Sequence, residues 1–143
     1  MGLKARKIKS MIEQVHDEYA ADVNAKLGTQ FTFEVDWALI PDDIDGWNWE
    51  DDDLKLVYYN SFFLPIHETL PELFEDDMYK EEIMKQVINF KFEAGRKMVA
   101  DFDFADGTLF IKNTLCVNQK DPQGMYIDSA KKDLTKCIES KLG

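Results

Sequence analysis

Residues 98–116 read MVADFDFADGTLFIKNTLC, and this stretch decides the fold. Asp106-Gly107 separates two alternating runs, Met98–Ala105 and Thr108–Cys116. Asp-Gly suits a two-residue hairpin turn, because both turn positions need positive φ. Such a turn sets Phe104 opposite Leu109, Phe102 opposite Ile111 and Asp101 opposite Lys112. Both apolar pairs then share one face, and the charge pair is complementary on the other. Register, turn chemistry and side-chain pairing agree, so a sheet with one buried face is expected here.

Upstream of the hairpin, Ile88, Phe90 and Phe92 alternate with Asn89, Lys91 and Glu93. A helical spacing through Ile83, Val87, Phe90 and Ala94 also fits. The strand is preferred, with a helix ending near residue 86 and a turn at Ala94-Gly95. Downstream, Asp121-Pro122-Gln123-Gly124 reads as a turn. Asp128 or Ser129 then caps a last helix to Leu142, with Leu134, Cys137, Ile138 and Leu142 inward.

The first half begins with a helix over 4–27. Ile8, Met11, Ile12, Val15, Tyr19, Val23 and Leu27 form one stripe, and Gly28 is a natural C-cap. Residues 31–40 alternate as a half-buried strand: Phe31, Phe33, Val35, Trp37 and Leu39 lie on one face. Leu54 to Phe63 reads as a second strand, which Pro65 ends. Thr69-Leu70-Pro71-Glu72 fits a capping box that opens a helix broken near Asp76-Asp77. The expected order is α-β-β-α-β-β-β-α over residues 1–143. That is a single α+β domain, with a mostly antiparallel sheet flanked by N- and C-terminal helices.

Composition excludes several classes of function. The 143 residues carry 17 Lys+Arg and 28 Asp+Glu, a formal net charge of −11. The pI near 4.5 argues against nucleic acid as a partner, because phosphate contacts need clustered Lys and Arg. No run reaches the roughly 20 apolar residues of a membrane span. The N-terminus has no apolar signal core, and Gly143 follows the Ser-Lys-Leu that a peroxisomal address would need at its end. Cytoplasmic residence is the expectation, with no membrane partner. Cys116 and Cys137 make neither a disulfide framework nor a zinc pattern.

The charge is concentrated. Residues 31–80 hold two Lys and fourteen acids, net −12, while the remainder is close to neutral. Within that segment, Glu72, Glu75, Asp76 and Asp77 suit a helix start, where the macrodipole favours acids. The other cluster is Asp42, Asp43, Asp45, Glu50, Asp51, Asp52 and Asp53, interleaved with Trp47 and Trp49. It is read as a loop between strands, where like charges repel at short range.

Three readings of that loop stand side by side. It is a solvated surface, or a binding surface for a basic protein, or a calcium loop. Tryptophan favours interface centres, and acids steer basic partners. For calcium, Gly46 at position 6 puts Asp43 and Asp45 at positions 3 and 5. It also puts Pro41 at 1 and Asp52 at 12, so the first ligand fails.

No nucleophile elbow, phosphate loop or dinucleotide fingerprint occurs. His16 lies off the apolar stripe and is expected at the surface. His67 lacks the second His of a zinc-protease helix. Asp101 and Asp103 share the solvent face of their strand, with Lys112 as a structural partner. The reading therefore leans away from catalysis and expects no cofactor and no metal.

The sequence-level expectation is a small acidic protein-interaction module of inhibitor or immunity type. It would engage a basic partner through Asp42, Asp43, Asp45, Trp47, Trp49 and Glu50–Asp53. The alternative is an α+β cup whose strand aromatics, among them Phe33, Tyr58, Phe62, Phe90, Phe92 and Phe110, hold a small apolar ligand.

Overall fold

The computed structural model describes residues 2–41, 50–96, 99–115 and 125–142. The hairpin forms as its sequence demands. β3 (Asp101–Ala105) and β4 (Thr108–Asn113) pair antiparallel. The register is the expected one: Phe104 meets Leu109, Phe102 meets Ile111 and Asp101 meets Lys112. Asp106 and Gly107 take φ of 50° and 83°, the two left-handed positions of the turn. β2 (Asn89–Ala94) is a strand, which settles the ambiguity at residues 88–93.

Helix α1 (Leu3–Leu27) buries Ile8, Met11, Ile12, Val15, Val23 and Leu27, with Tyr19 partly covered. It ends at Gly28, whose φ of 68° and ψ of 37° complete the left-handed cap. β1 (Thr32–Val35) follows, then a short 3₁₀ turn, Trp37–Leu39, capped by the Asp36 carboxylate on the Ala38 N–H.

The expected second strand is a helix. Residues 51–73 run as α2 (Asp51–Tyr58), a π-turn (Tyr59–Phe63) and α3 (Leu64–Leu73). A continuous apolar run suits a buried strand or a buried helix equally, so alternation misleads here. Strand geometry would put Leu54, Leu56 and Tyr58 on one face. Instead Leu54, Val57, Tyr58, Phe62, Ile66 and Leu70 are buried, at helical spacing, and Leu56 stays 42% exposed.

Pro65 explains the π-turn. A proline inside an α-helix lacks its N–H and clashes with the carbonyl four residues back. That carbonyl belongs to Ser61. The helix widens just before Pro65, and the Ser61 carbonyl accepts a hydrogen bond from Asn113 Nδ2 at 2.8 Å. A buried side chain at the end of β4 thus satisfies what the proline cannot.

Thr69 is not a helix cap. It lies inside α3, buried, and Glu72 pairs with Lys131 at 2.9 Å. The helix break at Asp76 is as expected: its carboxylate accepts from the Met78 and Tyr79 N–H groups and opens α4 (Asp77–Gln86). The last helix, α5 (Met125–Leu142), starts earlier than expected and turns Leu134, Cys137, Ile138 and Leu142 inward. Cys116 and the turn at 121–124 lie outside the described residues.

The fold is α+β with helices at both ends, and the sheet is mixed. Its order is β1-β2-β4-β3, with β1 parallel to β2 and β2 parallel to β4. Losing the strand at 54–63 removes the antiparallel partner of β1. The helical connection between β1 and β2 is what a parallel pair needs.

The inner face of the sheet carries Phe33, Phe90, Phe92, Leu109 and Ile111, which join one core with α1, α2, α3 and α5. Rings fill the space between the layers. Phe62 stacks on Phe92 at 5.0 Å, Phe63 meets Phe92 edge-on at 4.9 Å, and Phe33 stacks on Phe90 at 5.3 Å. Of the aromatics expected to line a cup, Phe33 and Phe92 pack against the helix rings Phe62 and Phe63, and Tyr58 and Phe62 are themselves helical. Among the described residues, no helix is long and apolar enough to cross a membrane.

Candidate interaction site

In chain order the acidic segment follows β1 and the Trp37–Leu39 turn. Its approach is firmly held: Leu39 and Ile40 are buried, and Lys9 Nζ lies 5.2 Å from the Trp37 ring centroid. Asp42, Asp43, Asp45, Trp47 and Trp49 lie outside the described residues. Glu50 to Asp53 lie within them, and they are not loop residues between strands. Glu50 is the N-cap of α2, in extended conformation, with no side-chain capping bond. Asp51, Asp52 and Asp53 form the first helical turn.

This placement changes the electrostatic argument. Acids in a first turn face free backbone N–H groups and the positive end of the helix dipole. Their mutual repulsion is therefore offset locally. Glu50 and Asp52 remain exposed.

The sheet carries further acids. An open cleft of about 740 Å³ is lined by Asp36, Glu93, Arg96, Asp101, Asp103 and Lys112, with Phe102. Asp101 faces Lys112 across the ladder. Asp103 accepts from the Phe104 N–H at 2.8 Å and lies 3.8 Å from Lys141. Both carboxylates are exposed, as expected, and both have structural surroundings. Among the described residues, no group of three or more His, Cys, Asp or Glu could hold a metal ion.

Sequence reasoning missed the histidines. His16 is half-buried, not a surface residue. Its Nε2 donates to the Phe33 carbonyl at 2.9 Å, and its Nδ1 pairs with the Tyr58 hydroxyl at 2.7 Å. In the neutral ring this makes Nδ1 the acceptor of the Tyr58 proton. Burial keeps Tyr58 protonated far above the usual tyrosine range.

His67 makes a second such pair, with the Tyr59 hydroxyl 2.6 Å from its Nδ1. Burial pushes the Tyr59 pKa up to about 12, with Glu68 and Asp22 adding to the effect. Burial, then Lys26, holds His67 below its ordinary value. Both tyrosines flank the start of the π-turn, so the two pairs tie α1 and α3 to it. The i, i+8 spacing of Tyr59 and His67 on one helix was the available signal, hidden by reading 54–63 as a strand. Cys137 is buried, and burial raises its thiol pKa.

The chain matches no protein-family model, no curated protein and no solved structure.

Proposed function

We propose that this chain is an acidic protein-interaction module of inhibitor or immunity type, which covers a basic surface of a partner protein. Asp42, Asp43, Asp45, Trp47, Trp49 and Glu50–Asp53 form its contact segment. One observation carries the reading: residues 31–80 hold a net charge of −12, and seven of those acids fall within residues 42–53.

A field of one sign concentrated at one end of a protein raises the encounter rate with an oppositely charged patch. The two tryptophans supply the desolvated anchors that charge alone does not, because interface energy gathers on a few aromatic and Arg residues. The start of α2 accommodates the acids of its first turn at small internal cost.

The test is retention of basic proteins on the immobilised chain. Retention should fall between about 50 mM and about 500 mM salt, because screening shortens the reach of exposed charges. It should also fall in a D52N/D53N variant. Equal retention at both salt concentrations, or indifference to those substitutions, would overturn the reading.

A further inference from the structure

We propose that the groove between α4 and α5 docks an amphipathic helix of the partner, with two apolar anchors one turn apart and Lys or Arg beside them. The proposal rests on the acidic-module reading for the charge of the partner and adds a second contact surface, remote in sequence from residues 42–53.

α4 is poorly explained by its own packing. Ile83 is its one buried residue, while Met78 is 78% exposed and Met84 is 43% exposed. Exposed methionines beside an apolar groove are adaptable docking surface, since the unbranched thioether refits to different neighbours. The groove itself is about 350 Å³, with Ile83, Ile138 and Leu142 as its floor and Met78 and Tyr79 on one wall.

The charges on the groove are of one sign. Its charged lining consists of Glu82 and Glu139. Among the described residues, no lysine of the two helices lines the groove; Lys80 Nζ lies 5.9 Å from the Phe74 ring centroid, Lys131 pairs with Glu72, and Lys141 approaches Asp103. Glu82 is oriented by Gln86, whose Nε2 bonds both Glu82 Oε2 at 2.8 Å and the Leu142 carbonyl at 2.9 Å. An apolar floor between two glutamates complements a ligand that is apolar in the middle and basic at its sides.

Geometry favours a helical ligand. Both walls are helices, whose backbone groups are already bonded, so an extended peptide would find no ladder to join. A helix satisfies its own backbone and presents side chains at i and i+3 or i+4. Residues 78–83 of α4 extend about 8 Å at 1.5 Å per residue, room for two anchors one turn apart.

The probes are two synthetic helical peptides with the same Leu pair, one flanked by Lys and one by Glu. The full chain, ¹³C-labelled at methionine methyls, is titrated with each. The Lys peptide should shift the Met78 methyl and leave Met11 unmoved, and the Glu peptide should bind at least about tenfold more weakly. Met78→Gln, at an exposed position, should weaken the Lys peptide about tenfold, the burial of one side chain. The D52N/D53N variant should respond as the wild type does.

No shift at Met78, or a shift that D52N/D53N abolishes, overturns the groove. In that event salt-sensitive retention of basic proteins still upholds the acidic-module reading. A Met78 shift with salt-insensitive retention upholds the groove and overturns the module.

Discussion

His67 is held neutral by burial first and by Lys26 second, against the opposite pull of Glu68 and Asp22. Its folded pKa therefore lies below the ordinary 6.5, and the unfolded chain takes up the proton first. Stability from this site is complete above about pH 6.5 and falls as pH drops through the folded value. A His67→Gln variant should show a flatter dependence of the urea midpoint on pH between about 7 and about 5.5. A slope unchanged by the substitution would contradict the assignment. Asn113 makes a different kind of contribution. Its amide, 4% exposed, serves the Ser61 carbonyl that Pro65 leaves without its usual helical donor. Asn113→Ala should cost about 1–3 kcal/mol in denaturant unfolding, the penalty for stranding a buried acceptor.

Elements differ in how plainly the sequence declares them. The β3–β4 hairpin was legible to the residue, because Asp106-Gly107 fixes the turn and the turn fixes the register. Helix α1 was legible because its stripe persists from Ile8 to Leu27, more than five turns. The helix at 51–73 was not, for two physical reasons. Its core face is so apolar that neighbouring positions also carry Leu, Tyr and Phe, which blurs the 3.6-residue period. Pro65 reads as a terminator, whereas a π-turn accommodates it together with Asn113, which bonds the Ser61 carbonyl from 52 residues along the chain. The sheet was misjudged as mostly antiparallel for the same cause. Of the candidate site, the acid cluster was visible as composition. The position of Glu50–Asp53 at a helix start was not, because that depended on recognising α2. Capping gives the element-scale prediction. Asp76 serves two N–H groups at the start of α4, so Asp76→Ala should cost about 1 kcal/mol. Because α4 buries little, the loss should appear as faster amide exchange in α4 before any change in global unfolding.

At the scale of the whole molecule, the fold sets a closed core apart from a charged end. The parallel pair β1–β2 obliges the chain to leave the sheet at its carboxyl end and return through helices, and Glu50–Asp53 open the first of those helices. The cleft with Asp36, Glu93, Asp101 and Asp103 borders the same end. Asp52 is exposed and Asp53 half-exposed, both outside the core, so D52N/D53N should leave global unfolding nearly unchanged while altering what the surface attracts. The most direct measurement is the association rate of the chain with a basic protein it retains, followed as ionic strength rises. Steered association should slow by at least about tenfold between low and physiological salt, and D52N/D53N should lower the low-salt rate and flatten that dependence. A rate indifferent to salt, or one that D52N/D53N leaves unchanged, would contradict the account.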